Sequence, residues 1–407
     1  MRKRLGFLLI IISLSICHGD NPTEFPSPQW ALPGYVKASN SGDHDELGWS
    51  IAVSETTIVV GSRNESSGTN NINGDQNNNS ANMSGAVYVY IIQDGKWLQQ
   101  AYLKPSNGEE YDSFGHSVSL SDDTIVAGAI RECSNGDQGD NSILESGAAY
   151  VFTRLNGNWH QEAYLKASNC KEEYAQFGQS VSISGDTIVV GSSKNIYVFI
   201  RHNGIWSQQT ILRPSNATIK EGWGNAVSIS GDTIVVGVTN EYSNAKGING
   251  NPNDNSEGMS GAAYVFTRKD GEWKQEAYIK ASNARANSLF GNSVSISGDT
   301  IVIGSLLESS NAKGINGNPT DTSAQGAGAA YVFTRKDGEW KQEAYIKASN
   351  SEPEDAFGFA TSVFNNTIVV SAIWEDSKAT GVDGDTSNND AIDAGAVYVY
   401  QRGVAVP

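Results

Sequence analysis

One phrase recurs six times along this chain of 407 residues, and no other feature limits its fold as strongly. Around Gly178 the phrase reads FGQSVSISGDTIVVG. Variants of it surround five further glycines: Gly48, Gly115, Gly224, Gly291 and Gly358. Each copy is followed by a second phrase of the type GAAYVF, which in the unit of Gly178 has diverged to NIYVFI. Another phrase, W-x-Q-x-A-Y-x-K-A-S-N, follows the second phrase in five of the six units. Such self-similarity predicts a repeat architecture, in which each unit packs against its neighbours.

Each unit has the pattern of four β-strands. SVSIS alternates apolar and polar residues, which is typical of a strand with one buried face, and TIVVG is a continuous β-branched run, which is typical of a strand buried on both faces. The third and fourth strands are joined by a dipeptide that strongly favours a tight hairpin: Asp94-Gly95, Asn156-Gly157, Asn203-Gly204, Asp270-Gly271 and Asp337-Gly338. The sequence therefore predicts an all-β fold, a β-propeller of six four-stranded blades.

The order of the phrases predicts how the ring closes. The last unit stops just after its third strand, whereas residues 30–40, WALPGYVKASN, form a Trp strand with no unit before it. We expect this N-terminal strand to complete the last blade, which would leave no open sheet edge. Residues 20–407 are then a single propeller domain.

The N-terminus has the pattern of an export signal. A basic stretch, Arg2 to Arg4, precedes about a dozen apolar residues, too few for a comfortable membrane span, so residues 1–19 are predicted to be a signal peptide. Cys17 lies in a loose lipoprotein-like context, which leaves an outer-membrane lipid anchor open beside plain secretion. Either way the protein is predicted to be secreted or attached to the cell surface.

Charge and motif content exclude several functions. The chain carries 28 basic and 45 acidic residues, a formal net charge of −17, which argues against binding to nucleic acid. Its three cysteines are too few for a disulfide scaffold or a cysteine zinc module. Neither a nucleophile elbow, nor a zinc-protease motif, nor a phosphate loop occurs in the sequence. No catalytic residue is therefore predicted.

The two phrases FGxSVxISGDTIVVG and GAAYVF together resemble the FG-GAP repeat of integrin α-chain propellers, in the form common in exported bacterial proteins. The resemblance covers residues 28–402 and implies a propeller fold with a role in binding or adhesion. Two features depart from it. Integrin propellers resemble seven-bladed rings, and their calcium loops lie between the first and second strands, where this chain has only a short turn such as SGD.

Polar sequence is concentrated in two sets of connections that a propeller places on one face. The connections between second and third strands are long in five units (61–85, 128–147, 237–261, 304–328 and 371–395) and shrink to GSSKN in unit three. The connections from a fourth strand to the next first strand are acidic: Asp43, Asp45, Glu46, Glu109, Glu110, Asp112, Glu172, Glu173, Glu352, Glu354 and Asp355. We expect this face to bind a protein or glycan partner.

One glutamate recurs four residues after the second strand: Glu65, Glu132, Glu241, Glu308 and Glu375. It has two interpretations. Its carboxylate either holds the base of the loop by accepting hydrogen bonds, or it binds calcium together with oxygens of nearby turns: Asn73, Asp75, Asp137, Asp140, Asn249, Asn251, Asn316, Asn318, Asp383 and Asp385. Cys133 and Cys170 flank the same face and form a candidate disulfide.

A binding or adhesion propeller, with calcium as a candidate cofactor, is the function these patterns favour. Two alternatives stay open: a glycan hydrolase or lyase that uses paired carboxylates, and a structural component of a surface layer. The repetition of the acidic residues favours binding, because an active site would be unique to one blade.

Overall fold

The computed structural model describes residues 36–169, 172–214, 216, 224–380 and 384–403, in which 23 strands and no helix occur. The first three sheets contain β1 (Leu47–Val53), β2 (Thr57–Ser62), β3 (Ala86–Gln93), β4 (Lys96–Leu103), β5 (Phe114–Ser121), β6 (Thr124–Ala129), β7 (Ala148–Leu155), β8 (Asn158–Leu165), β9 (Ser180–Ser184), β10 (Thr187–Gly191), β11 (Ile196–His202) and β12 (Ile205–Leu212). The last three contain β13 (Ala226–Ser230), β14 (Thr233–Val238), β15 (Ala262–Lys269), β16 (Glu272–Ile279), β17 (Phe290–Ser297), β18 (Thr300–Ser305), β19 (Ala329–Lys336), β20 (Glu339–Ile346), β21 (Phe357–Phe364), β22 (Thr367–Ala372) and β23 (Ala396–Gln401).

The sheets are antiparallel meanders in chain order, which confirms the predicted all-β propeller of six blades. Five sheets have four strands, and the sixth has three in the described part of the chain, β21, β22 and β23. Residues 30–35 of the predicted closing strand lie outside the described residues, as does the predicted signal peptide, so both stay predictions. The described strands belong to one compact unit, Lys37–Pro407, and none of the described residues forms a helix that could span a membrane.

The burial of the strands follows their sequence patterns. Every residue of β10, TIVVG, is buried, whereas β9, SVSIS, alternates between buried and partly exposed residues. The predicted hairpins are also present: Asp94 and Gly95 both have positive φ, 50° and 72°, as a type I′ turn requires. The same pair of angles recurs at the equivalent dipeptides of the next four blades.

Two glycines of the repeat meet wherever one blade packs on the next. A Cβ atom on Gly61, at the end of β2, would lie 2.0 Å from the carbonyl oxygen of Gly115, the FG glycine of the second blade. Gly128 and Gly178 approach in the same way at the next junction. The backbones therefore touch at the blade junctions, which explains why the repeat uses glycine at both positions.

The recurring tryptophan packs at the junctions too. Trp159 is buried, and its Nε1 donates to Oε1 of Gln100 in the preceding blade at 2.9 Å. The guanidinium of Arg154 lies 5.1 Å from the centre of the Trp159 ring. Gln100 itself is the extra residue of a bulge in β4, so the bulge aims it at the neighbouring blade.

Candidate binding face

The long connections and the linkers between blades lie side by side, and we call the surface they form the loop face. It comprises the described residues of the loops 63–85, 130–147, 239–261, 306–328 and 373–395, with the described residues of the linkers that follow β4, β8, β12, β16 and β20. Backbone hydrogen bonds join the linkers after β4, β8, β16 and β20 to the loop of the preceding blade: Ser113 N donates to Met83 O at 3.1 Å, for example, and Leu289 N to Met259 O at 3.2 Å. The predicted proximity of these two sets is therefore present.

The five recurring glutamates are buried, and four of them pair with a lysine that directly follows the fourth strand of the same blade. Lys280 Nζ lies 2.7 Å from Glu241 Oε2, with side chains that are 0% and 1% exposed. The same pair recurs as Lys104–Glu65 at 3.2 Å, Lys347–Glu308 at 3.0 Å and Lys166–Glu132. Burial lowers the pKa of the Lys280 ammonium, and the Glu241 carboxylate acts against that shift.

Two serines and a tyrosine complete this polar cluster. Tyr278 Oη donates to Glu241 Oε1 at 2.9 Å, Ser243 N donates to the same oxygen at 3.1 Å, and Lys280 Nζ donates to Ser260 Oγ at 2.7 Å. The carboxylate thus joins the first part of its loop to Tyr278 of the fourth strand, and Lys280 bonds to Ser260 at the other end of the loop. Of the two interpretations of these glutamates, these contacts fit the one in which they hold the loop base. The lysine, however, was missed by the sequence analysis.

The third blade shows which residues depend on each other. Its loop is only the short connection Ser192–Asn195, it lacks the glutamate, and Arg213 stands in place of the lysine. Arg213 Nε instead donates to Asn195 Oδ1 at 3.2 Å. The sequence shows that the loop, the glutamate and the lysine are lost together in this blade. This joint loss could have predicted that the glutamate and the lysine form an ion pair.

An asparagine from each described linker connects one blade to the next. Asn283, after β16, donates to Glu308 Oε1 at 2.9 Å, and its Oδ1 accepts from Tyr331 Oη at 2.5 Å. Asn350 makes the same two contacts in the sixth blade, with Glu375 and Tyr398. Glu308 is therefore shared between Lys347 of its own blade and Asn283 of the preceding linker.

The proposed calcium ligands of the turns have local structural partners. Asn73 Oδ1 accepts from the amide of Tyr102 at 2.9 Å, which holds the loop against β4. Asp75, Asp137 and Asp385 each accept from the amide two residues later, at 3.0, 3.1 and 2.9 Å. Asp140 Oδ1 does the same with Ser142 N at 3.0 Å.

These turn carboxylates are exposed, whereas the recurring glutamates are buried beneath them. Among the residues that the structure describes, no three acidic, histidine or cysteine side chains come together as a metal site. Asp383 and Cys170 lie outside those residues. Calcium binding and the Cys133–Cys170 disulfide therefore stay predictions.

Some of the acidic linker residues are structural. Asp112 Oδ2 accepts from the amide of Glu109 at 2.9 Å, and Asp355 repeats this contact with Glu352 at 2.7 Å. Asp112 and Asp355 are each 4% exposed. Burial raises the pKa of the Asp112 carboxyl to about 7 and that of Asp355 to about 6. Of the other linker carboxylates, Asp45 is half-buried and the rest, Glu109 and Glu352 among them, are exposed.

A cleft of 300 Å³ opens on the loop face between the fifth and sixth blades. The half-exposed indole of Trp374 lines it, with the carboxylates of Glu354 and Asp393 and the side chains of Leu307 and Gln325. Two further exposed aromatic rings of the loop face, Tyr111 and Tyr174, lie in the linkers of the first and second blades. This cleft was missed by the sequence analysis, because its walls come from two blades.

Two larger clefts, of 590 and 420 Å³, open on the opposite face, which contains only tight turns. The two arginines that line them already form ion pairs: Arg201 lies 2.7 Å from Asp186, and Arg268 lies 2.6 Å from Asp232. A ligand there would have to displace these pairs.

Comparison with known proteins identifies the repeat. A family model described as the FG-GAP repeat matches residues 30–90, 97–152, 159–196, 206–266, 273–333 and 340–400. No curated protein matches the chain. Among solved structures, a putative 6-phosphogluconolactonase from Bacteroides uniformis ATCC 8492 is similar with 11% identity and a TM-score of 0.45, over 87% of this chain and 88% of that one.

Proposed function

Because the chain belongs to the FG-GAP repeat family, we propose that it is an exported or cell-surface propeller that binds a protein or glycan partner through its loop face. Membership of a propeller family describes a scaffold, and function resides in the site that the scaffold presents. The proposal therefore rests on the loop face itself.

The single observation that supports it is the difference between the two faces. The hairpins on one face are closed by two or three residues, whereas the loops on the other span about twenty residues in five blades. The polar clusters around Glu241 and its equivalents hold these loops to the blades. Loops that a rigid scaffold fixes in this way are where proteins commonly place binding residues.

The chemistry of the loop face suits a hydroxyl-rich or basic partner. Exposed aromatic rings such as Trp374 and Tyr174 supply apolar area at low entropic cost, and the neighbouring carboxylates accept hydrogen bonds. In the cleft, Glu354 and Asp393 flank the indole, an arrangement that fits a sugar ring stacked on Trp374. A glycan hydrolase would use the same groups, so product formation from bound glycans is the outcome that would favour that alternative.

Binding of the purified mature domain to a glycan array and to solubilised cell envelopes, with and without a chelator, tests the proposal. Trp374→Ala and Tyr174→Ala should each weaken binding about tenfold or more, because an aromatic ring that the bound partner buries contributes about 2 kcal/mol or more. Ile205→Ala, which removes an exposed apolar side chain beside a turn of the opposite face, is the matched control. Equal losses in all three variants would contradict the proposal.

A further inference from the structure

The fifth blade contains a buried lysine whose ammonium group is only partly satisfied. Lys347 Nζ donates to Glu308 Oε2 at 3.0 Å, and the Lys347 side chain is 0% exposed. An ammonium has three protons to donate, but within the described part of the chain Lys347 Nζ makes no second hydrogen bond. Burial lowers the pKa of Lys347, and the carboxylate of Glu308 acts against that shift.

The equivalent lysines of three other blades have a second acceptor. A serine just before the third strand accepts a hydrogen bond from each of them: Ser260 from Lys280 at 2.7 Å, Ser84 from Lys104 at 2.7 Å, and Ser146 from Lys166 at 2.8 Å. The fifth blade has the buried Ala327 at this position. Of the four buried lysines, Lys347 is therefore the one whose neutral amine forms most readily.

The side-chain amide of Asn283 contacts the other oxygen of the same carboxylate. Asn283 Nδ2 donates to Glu308 Oε1 at 2.9 Å and to Pro319 O at 3.2 Å, and its Oδ1 accepts from Tyr331 Oη at 2.5 Å. Tyr331 is completely buried, and burial raises the pKa of its phenol well above the usual value. The phenol therefore keeps its proton and donates it to the asparagine carbonyl.

These groups supply what amide formation between a lysine and an asparagine requires. A buried lysine with a lowered pKa is a nucleophile. A carboxylate that contacts both nitrogens can take a proton from the amine and deliver one to the leaving group, as general base and then general acid. The Tyr331 hydroxyl stabilises the negative charge that develops on Oδ1 of Asn283 during the attack.

The lysine backbone is fixed on both sides, which limits the search for this geometry. Lys347 N donates to Gly314 O at 2.9 Å, and Lys347 O accepts from Tyr400 Oη at 3.0 Å. The nucleophile and the carboxamide are thus held on one carboxylate, an arrangement that lowers the entropic cost of reaction.

We propose that Lys347 and Asn283 form an intramolecular isopeptide bond. Glu308 takes a proton from the ammonium, and the free amine attacks Cγ of Asn283, so that an Nζ–Cγ bond forms and the Cγ–Nδ2 bond breaks. Nζ loses two protons in all: Glu308 relays one to Nδ2, which departs as ammonia, and the ammonia takes up the other as ammonium ion. The step needs no oxidant, and it ties the linker after β16 to the residue after β20.

The fourth blade is an internal control for this chemistry. Its lysine, Lys280, has Ser260 as a second acceptor, and its linker asparagine, Asn216, donates to Pro252 O at 3.0 Å. Within the described residues, Asn216 makes no hydrogen bond to Glu241. Both conditions that favour the bond in the fifth blade are therefore missing in the fourth.

Peptide mapping of the purified, folded protein tests the proposal. Trypsin does not cleave after a lysine whose Nζ is part of an amide, so the bond should yield a branched peptide that joins 281–285 to 342–378. This peptide should weigh less than the sum of its two parts by one ammonia. A succinimide at an Asn-Gly turn also loses ammonia but joins no second peptide, so the branched peptide distinguishes the two.

Four variants test the role of each group. Lys347→Arg, which copies Arg213 of the third blade, and Glu308→Gln should abolish the branched peptide. Ala327→Ser gives the fifth blade the serine of the others and should reduce its yield severalfold, because the ammonium gains an acceptor. Lys280→Arg in the fourth blade is the matched control and should leave the yield unchanged. Circular dichroism and the melting temperature would confirm that each variant folds.

Three results would contradict this account. A folded wild-type protein that yields only the separate peptides 281–285 and 342–347 would overturn the bond. A branched peptide that persists in folded Glu308→Gln would overturn the proton relay. An unchanged yield in folded Ala327→Ser would overturn the reason given for the choice of the fifth blade.

Discussion

Removal of Lys280 should destabilise the protein strongly, although lysine is normally a surface residue. Lys280 and Glu241 are 0% and 1% exposed and lie 2.7 Å apart, so Lys280→Met leaves a buried carboxylate without its cation. Breaking a buried pair in this way costs about 3–5 kcal/mol. Glu241 would keep Tyr278 Oη at 2.9 Å and the amide of Ser243 at 3.1 Å, so we expect the lower end, about 3 kcal/mol.

The measurement is the free energy of unfolding in urea, monitored by tryptophan fluorescence. Lys274→Met is a control in the same strand: Lys274 lies 3.2 Å from Glu272, but both side chains are more than 70% exposed, and such pairs contribute about 0–1 kcal/mol. The double variant Lys280→Met/Glu241→Gln should recover at least about 1 kcal/mol of the summed losses, because no buried charge remains. Losses below about 1 kcal/mol for Lys280→Met, or strictly additive losses in the double variant, would refute the reasoning.

Three further predictions concern the loop face. Burial raises the pKa of the Asp112 carboxyl to about 7 in the folded state, so the stabilisation from the neutral carboxyl is fully present below about pH 4 and is lost as the pH rises through about 7. Asp112→Asn should therefore be more stable than the wild type at pH 8, by up to about 4 kcal/mol in urea titrations, and should show no such gain at pH 4. If calcium orders the loops, millimolar calcium should raise the melting temperature more than magnesium does. Asp385→Ala should reduce this shift, whereas Asp232→Ala on the opposite face should not, and a melting temperature that does not respond to calcium would refute the calcium prediction. A Cys133–Cys170 disulfide predicts no reactive thiol at either residue in the unfolded, unreduced protein, and two labelled thiols would exclude it.

The architecture was predictable because the strand pattern of one blade recurs six times in the sequence. The alternation in β9, the apolar run of β10 and the turn at Asp94-Gly95 depend on local backbone preferences and on which faces are buried, and both are encoded in short stretches of sequence. The role of the two repeat glycines was not predictable in the same way. Gly61 and Gly115 meet across a blade junction, so the need for glycine at both positions is evident only when two blades are packed together.

The candidate site was only partly predictable. The long loops are evident from the spacing of the phrases, but Lys280 and its equivalents look like ordinary surface residues, since lysine is rarely buried. Each is buried because it pairs with the glutamate of its own blade, and in the pair of Lys280 with Glu241 the two residues are 39 positions apart in sequence. The cleft at Trp374 depends on how two neighbouring loops fold together, which strand patterns do not determine.

The claim that the long loops bind while the blades are scaffold is tested most directly by shortening one loop. The third blade shows that Gly191 and Ile196 can be joined by Ser192–Asn195 alone, and these residues correspond to Gly304 and Ala330 of the fifth blade. A graft of that connection, with Lys347→Arg to match Arg213, removes Leu307 and Gln325 from the cleft and leaves no buried lysine unpaired. Circular dichroism and the melting temperature would confirm that the graft folds. Binding to the glycan or protein that the wild type captures should then fall at least tenfold, and unchanged binding by the folded graft would contradict the claim.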